Sequence, residues 1–474
     1  MQNTERIWTL VEAKRQPFLA LADRIWGMPE IAYTEYRSVA EHLATLKAEG
    51  FCITENLGGI PTAVMGEAGH GGPVVAILGE FDALPGLSQE AGIAEPKPLE
   101  AGGHGHGCGH NLLGSAALLA ATAVKDLLAE IGVEGRVRYY GCPAEEGGAA
   151  KGFMVREGCF RDVDIAISWH PSGFNYVDDA RSLANTRIDF TFHGRSAHAS
   201  ASPHLGRSAL DAVELMNVGV NYMREHMPSD ARIHYAILDA GGVAPNVVQA
   251  KAKVRYAVRA RDLVGLNQLI ARVRKVAEGA ALMTETRVES QVISAVSNLL
   301  GNTPLEETMQ RVYDRLGAPD FDAADHAYAT KIQATLSAED IQSAYRRVGV
   351  PVRANTPLCD FVVPRDARGE PMLGSTDVGD VSWAVPTVQA RGAVHAIGTA
   401  LHTWQVTAQS KSPLAHKGMV HVAKVMAATA VDVLKDKGLL ARAKADHKAR
   451  LAEAPYVCPI PADVQPPIQA RPKA

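Results

Sequence analysis

The sequence predicts an α/β protein with two sheets, and three observations carry that reading. Residues 74–78, Val-Val-Ala-Ile-Leu, are apolar at every position, which marks a strand buried on both faces and so central in a parallel sheet flanked by helices. Strand and helix patterns alternate from there to residue 171, and each strand runs out into polar residues at its C-terminal end. Beyond residue 184 the pattern changes. Strand-like segments at 186–193, 233–238, 247–260 and 287–294, with helical periods over 206–225 and 263–281, give a βαββαβ order. That unit is expected to place helices on one face of a mainly antiparallel sheet. Since 474 residues exceed one ordinary core, the division expected is a discontinuous larger domain, 1–184 and 297–474, interrupted by an inserted domain, 185–296.

Taken in order, residues 3–28 read as an amphipathic helix and 36–49 as a second that stops at Gly50. The strand at 74–78 leaves through Gly79-Glu80-Phe81-Asp82-Ala83-Leu84-Pro85-Gly86. Segment 87–107, rich in Gly and Pro, is a long excursion of the kind that is usually functional or disordered. A helix over 112–131, a strand over 136–141, a helix near 151–157 and a strand over 164–168 follow, the last ending in Trp169-His170-Pro171. After residue 303 helical patterns return. An irregular stretch, 350–376, precedes a strand at 386–391, an alanine-rich helix over 413–437 and a tail with Pro at 455, 459, 461, 466, 467 and 472.

Composition narrows the function. Hydrophobic residues make up 47% and charged residues 21%, as in a globular α/β protein, and a net charge of −4 with scattered basic residues points away from nucleic acid or an anionic membrane. A small molecule is the expected partner. The longest apolar run, 112–124, falls short of the roughly 20 residues that cross a bilayer, and residues 1–22 mix charges through their apolar positions, unlike a secretory signal. Six cysteines without the spacing of a disulfide scaffold fit reduced thiols, so a cytoplasmic location is expected.

The chemistry concentrates at sheet ends. Gly103-His104-Gly105-His106-Gly107-Cys108-Gly109-His110-Asn111 sets four metal-binding side chains among glycines just before a buried helix. Extended backbone would bring Cys108 and His110 to one side, although a loop of this composition also suits a surface turn. Glu145-Glu146 follows a strand, and adjacent residues there would point to opposite sides, one to a metal and one to substrate as a base. An exposed acidic turn is the commoner fate of such a pair. His170 ends another strand at the same edge. Cysteine, histidine and carboxylate donors with room for water are what hydrolytic zinc or manganese centres use, and two ions sharing a water would lower its pKa.

Six motifs in order complete a match: Asp82-Ala83-Leu84-Pro85, Cys108-Gly109-His110, Pro143-Ala144-Glu145-Glu146, Trp169-His170, Gly194-Arg195-Ser196-Ala197-His198 and Gly241-Gly242-Val243-Ala244-Pro245-Asn246-Val247. Together they resemble the dinuclear metallopeptidases that include aminoacylases, glutamate carboxypeptidases and auxin-conjugate amidohydrolases, in the branch that carries the cysteine. The resemblance implies a phosphorylase/hydrolase-like catalytic domain with a mixed central sheet between helices, and a ferredoxin-like dimerisation or lid domain. It implies two divalent metal ions, Zn²⁺ or Mn²⁺, bridged by Cys108 and completed by His110, Glu146, His170 and His402. Glu145 would be the general base and His198 would reach across a homodimer to the oxyanion. Asn246 and Arg259 would recognise the substrate's carboxylate, and Asp82 would support a ligand. The activity implied is cleavage of an N-acyl amino acid at its amide, with p-aminobenzoyl-glutamate expected, giving p-aminobenzoate and glutamate. The alternatives are an indole-3-acetyl-aspartate or other aromatic N-acyl amino acid hydrolase, and a non-catalytic chain paired with a related second subunit.

Two departures stand out. Asn111 occupies a position where the amidohydrolases commonly have Asp, and Glu80 stands where the carboxypeptidase branches have a metal-binding His. His104 and His106 are unassigned, with substrate-proximal or structural roles favoured and replacement of a ligand the alternative, and His395 and His416 lie near His402 in sequence. A metal-free Cys108 is expected to be the most oxidisable thiol if it lies open to solvent and is held as thiolate by the histidines.

Overall fold

The computed structural model describes residues 2–367, 369–370 and 373–471, so Pro472 of the tail lies outside it. Helices α1 (Gln2–Trp26) and α2 (Tyr36–Ala48) precede strands β1 (Cys52–Glu55), β2 (Val64–His70) and β3 (Val74–Glu80). Helix α3 (His110–Ile131), β4 (Gly135–Cys142), α4 (Ala150–Arg156) and β5 (Ile165–Ser172) continue the alternation. After β6 (Tyr176–Val177), the changed pattern is β7 (Ala184–His193), α5 (Ala209–Met223), β8 (Arg232–Asp239), β9 (Lys251–Ala260), α6 (Leu263–Met283) and β10 (Arg287–Val296). The remainder holds α7 (Thr303–Leu316), α8 (Ala323–Gln333), α9 (Ala338–Val348), α10 (Val378–Ala384), β11 (Thr387–Ala393), α11 (Trp404–Gln409), α12 (Pro413–Lys435) and α13 (Lys437–Glu453).

The first sheet runs β1-β2-β4-β3-β5-β11-β6. Its centre, β4, β3, β5 and β11, is parallel, and β2 and β6 join antiparallel. The expected mixed central sheet is therefore present. Alternate residues of β3 feed two cores: Val75 and Ile77 pack with Leu113 and Val422 of α3 and α12, while Ala76 and Leu78 pack with Phe153 and Val381 of α4 and α10. This two-sided burial is why residues 74–78 are all apolar, the strand turning polar only at Glu80 at its C-terminal end. β3 connects to β4 through α3 on one face, and β4 to β5 through α4 on the other, so the winding reverses around β3. Ligands of open α/β sheets bind at the carboxyl ends of strands at such a reversal.

The second sheet runs β10-β7-β9-β8, antiparallel throughout. One face is covered by α5 and α6, with a core of its own that includes Ile188, Phe190, Val213, Val254, Tyr256 and Val273. The opposite face carries Asn185, Arg187, Arg255 and Arg259. The βαββαβ order was readable because this sheet is buried on one side only, which imposes a period of two.

Some elements differ from expectation. β1 and β2 are not anticipated: β1 is a four-residue, largely exposed edge strand, and β2 beside it is interrupted by glycines and exposed at its end. Helix α3 is longer than its apolar run suggested: at 22 residues it is long and apolar enough to span a bilayer by composition, but 83% of its most apolar window is buried within the protein. A further helix, α13, follows α12 where Asp436 accepts a hydrogen bond from Leu439 N and starts a new turn. The tail beyond it is irregular but packed, with Ile460 buried beside α4 and the Arg156 guanidinium donating to the Pro461 and Val464 carbonyls.

Candidate active site

The ends of β3, β4 and β5 and the first turn of α3 meet at one place. Gly109, at φ 74°, closes the glycine-rich loop and lets α3 begin at His110. Extended backbone was expected between Cys108 and His110, but this left-handed turn, which glycine adopts freely, is what brings them together. The Cys108 Sγ lies 3.4 Å from His170 Nε2. Donor atoms of Cys108, His110 and His170 lie within 4.8 Å of one another, as do those of Cys108, Glu146 and His402, and those of Glu80, His110 and Glu145. Shared members join these groups into one cluster.

Glu145 and Glu146 also sit in a turn rather than in extended backbone, with Ala144 at φ 55° and Gly147 at φ 102°. The turn is clamped from outside. The Glu35 carboxylate accepts from Ala144 N at 2.8 Å and Tyr33 N at 3.0 Å, and the Tyr33 hydroxyl donates to the Gly148 carbonyl at 2.7 Å. Asp82 bridges the two halves of the site: Oδ1 lies 2.9 Å from His110 Nδ1 and Oδ2 accepts from Glu146 N at 2.9 Å. His110 Nε2 is thereby left facing the cluster, the arrangement in which a carboxylate orients a ligating imidazole.

Charge at the site is strongly conditioned by burial. Burial, with the charges of Glu80 and Glu146, holds the Glu145 carboxyl well above the ordinary range. His170 is held well below its ordinary value by burial and by the charge of Arg391. Burial and the Glu146 charge push the Cys108 thiol up, and the side chain is buried. The two conditions set for ready oxidation, exposure and thiolate character, are therefore not met.

These donors fit divalent cations. His110 Nε2 approaches Glu80 Oε2 to 3.3 Å and His402 Nε2 approaches Glu146 Oε1 to 3.2 Å. Yet His110 Nε2, Glu80 Oε2 and Glu146 Oε1 are buried and make no hydrogen bond among the described residues. Convergent buried donors without shared protons leave a place for positive charge, and thiol, imidazole and carboxylate together suit zinc or manganese.

A cavity of about 270 Å³ opens from the cluster, lined by Cys108, Glu145, Glu146, His170 and His402 on one side and by Asn185, Arg187 and Arg259 of the second sheet on the other. Cys108, His110, Glu145, Glu146, His170, His402, Asp82 and Arg259 therefore come together within one chain. His198 and Asn246 do not. Both are exposed and lie away from the cavity, and they stand beside each other through a His198–Val247 bridge and an Ala199 N to Asn246 O hydrogen bond of 2.9 Å. Of the neighbouring histidines, His395 is fully buried outside the cluster and His416 pairs with Asp23 at 2.9 Å.

The glycine-rich loop's other residues find structural places. His106 is buried with Nε2 3.1 Å from the Ile25 carbonyl, and His104 is exposed. The Asn111 amide donates to the carbonyls of Ser410 and Ala22 at 2.9 and 3.3 Å. A carboxylate there would face two carbonyl oxygens without a proton to offer, which accounts for Asn at this position. Sequence reasoning missed Lys151, whose Nζ lies 2.6 Å from both Glu80 Oε1 and Asp377 Oδ1, all three buried. It also missed Asn185 and Arg187. The only signal for Arg187 was its alternation with apolar residues along β7.

The pattern of Peptidase family M20/M25/M40 matches residues 76–356, and the chain belongs to this family. It is 48% identical to the B subunit of p-aminobenzoyl-glutamate hydrolase from Escherichia coli (strain K12) over 467 residues, covering 96% of this chain and 97% of that one. It is 29% identical to the Xaa-Arg dipeptidase of Mus musculus, covering 92% of this chain and 89% of that one. Among solved structures, its fold is similar to that of the YXEP protein of Bacillus subtilis, a dinuclear metal binding peptidase from the M20 family. The TM-score is 0.59 at 17% identity, covering 90% of this chain and 99% of that one.

Proposed function

We propose that this chain is a metal-dependent amidohydrolase that cleaves p-aminobenzoyl-glutamate to p-aminobenzoate and glutamate. The observation that carries the reading is the convergence of Cys108, His110, Glu146, His170 and His402 beside Glu145, opposite the guanidinium of Arg259 in one cavity. The similarity over nearly the whole chain to one of the subunits of a p-aminobenzoyl-glutamate hydrolase supports it. Two divalent ions, Zn²⁺ or Mn²⁺, held by those five residues would supply Lewis-acid polarisation of the scissile carbonyl. Glu145 takes the proton of the attacking water and delivers it to the departing amine, a task suited to a carboxyl whose affinity for protons is raised. Asp82 keeps His110 oriented, and Arg259 binds the substrate's carboxylate through its planar fork.

The second sheet and its helices, residues 185–296, act in this reading as a ferredoxin-like dimerisation and lid domain. Edge strand β8 exposes Tyr235 and Ile237, and α5 exposes Leu215, Val218 and Tyr222 along one face. A homodimer through these surfaces brings His198 and Asn246 of one chain toward the cavity of the other, which explains why neither reaches its own. A related second chain is a further partner, in keeping with the Escherichia coli relative being one component of a hydrolase with more than one kind of subunit. The six cysteines are all free, as a cytoplasmic location would require.

The test is hydrolysis by the purified chain, loaded with Zn²⁺ or Mn²⁺, of p-aminobenzoyl-glutamate, indole-3-acetyl-aspartate, benzoyl-glycine and dipeptides. Preferential release of p-aminobenzoate is expected. Cleavage of dipeptides alone would refute the amidohydrolase reading, and activity appearing only on adding a second related chain would assign this one a partner's role.

A further inference from the structure

Two arginines of the second sheet, Arg187 and Arg259, line the cavity without an ion pair among the described residues. In the β7–β9 register Asn185 lies opposite Arg259, and Arg187 follows two residues along the same face of β7. Other arginines nearby are neutralised: Arg391 pairs with Asp178 at 2.7 Å, and Arg255 pairs with Asp189 at 2.6 Å. Arg187 and Arg259 form no ion pair among the described residues. Arg187 donates to the Gly147 carbonyl at 3.1 Å, and Arg259 donates to Ser375 Oγ at 3.4 Å while its Nε has no partner. A guanidinium has five N–H donors in a rigid fork, and the one hydrogen bond found for each arginine uses only part of it.

The arrangement is built rather than incidental. A Cβ at Gly147 would fall 1.7 Å from Arg187 Nη1, so the glycine lets the guanidinium lie against the loop that carries Glu145 and Glu146. Burial opposes both charges. Arg255 acts against Arg187, which also feels the carboxylates of Glu146 and Glu145 from beyond ion-pair distance, and Arg187 acts against Arg259. Two desolvated cations facing one cavity are satisfied best by a ligand with two negative groups. A substrate whose released residue is arginine, as the name Xaa-Arg dipeptidase indicates for that relative, would add a third cation.

We propose that Arg187 binds the side-chain carboxylate of the substrate's amino acid while Arg259 holds its α-carboxylate, so that the site selects N-acyl derivatives of dicarboxylic amino acids. This rests on the amidohydrolase reading given above. A neutral side-chain amide cannot return the charge-assisted pair, and the selectivity for carboxylate over amide that Arg187 supplies is roughly 10- to 150-fold.

The experiment compares kcat/KM for p-aminobenzoyl-glutamate and p-aminobenzoyl-glutamine in wild type, Arg187→Gln and Arg187→Lys. Both substrates are run on the same preparation, so the ratio does not depend on the fraction of folded protein. The expected result is a wild-type ratio of that size, a ratio falling toward one in Arg187→Gln and an intermediate ratio in Arg187→Lys. An unchanged ratio, or equal losses on both substrates, overturns the proposal. Calorimetric binding of the same two ligands to Glu145→Gln protein, with and without Arg187→Gln, reads the ratio without turnover. Selectivity that vanishes with Arg187 supports the proposal even where cleavage fails, and equal affinities in the presence of Arg187 overturn it independently of the catalytic reading.

Discussion

Lys151→Met tests the charge network beneath the metal-ligand cluster. The Lys151 ammonium lies 2.6 Å from both Glu80 and Asp377, and its backbone N–H donates to Asp377 Oδ2 at 3.0 Å, with all three residues buried. Methionine keeps the aliphatic stem and removes the charge, leaving two carboxylates facing one another away from water. Breaking a buried pair by deleting one partner costs about 3–5 kcal/mol, a large share of a typical total of roughly 5–15 kcal/mol. The loss depends on pH. Burial and the Glu80 charge raise the Asp377 carboxyl to about 6 even with Lys151 pulling it down, above an unfolded value near 4. A group raised in this way stabilises fully below its unfolded value and loses that contribution as pH rises through its folded value. Without Lys151 the folded value moves higher still, so the deficit of Lys151→Met is small near pH 4 and grows toward pH 8. Urea unfolding of chelator-treated protein at pH 5 and pH 8 measures it, and adding Glu80→Gln and Asp377→Asn should restore much of the loss. A variant that unfolds at the wild-type urea concentration at pH 8, or shows the same deficit at both values, would refute the reasoning.

Four further outcomes are expected. Cys108→Ala should lose bound metal by elemental analysis, and an unchanged metal-to-protein ratio would contradict the proposed ligand role. Glu145→Gln should retain metal and lose roughly 10²–10⁴ in turnover. Mixing it with His198→Ala should recover about a quarter of wild-type activity if His198 serves the partner's site, because half the dimers are then mixed and one of their two sites is intact. No recovery would place His198 on its own chain's chemistry. Burial and the charge of Asp82 raise the Glu35 carboxyl to about 8, so its contribution is present at acid pH and lost as pH rises through 8. Glu35→Gln keeps an oxygen for Ala144 N and Tyr33 N and should therefore raise the melting temperature at pH 9; equal melting temperatures for the two proteins would argue against this.

The parts legible in the sequence share a physical cause. β3 is buried on both faces and so carries an unbroken apolar run over 74–78, and the second sheet is buried on one face and so alternates. Cys108, His110, Glu145, Glu146 and His170 were legible because each lies next to a strand end or helix start that the pattern locates. The backbone that aims them was not. Cys108 and His110 were read as neighbours on an extended segment, but a left-handed Gly109 joins them, and Glu145 and Glu146 stand in a turn between Ala144 and Gly147. Spacing arguments assume a regular backbone, and active-site loops are where the chain departs from it.

Lys151 and Arg187 mark a different boundary. Each reads as an ordinary surface position, since lysine in a helix and arginine alternating along a strand are the usual solvated residues of such elements. Their meaning comes from residues far away in the chain: Glu80 and Asp377 for Lys151, Gly147 and Arg259 for Arg187. The two complement each other. Lys151 is a cation neutralised from two sides, and it holds one oxygen of Glu80 so that the other faces His110. Arg187 forms no ion pair among the described residues, and the carboxylates of Glu146 and Glu145 act on it only from a distance. A chain that holds a buried lysine in contact with two counter-ions, and leaves a cavity arginine without an ion pair among the described residues, has separated its structural charge from charge available to a ligand, and that asymmetry points to the substrate more directly than any single motif.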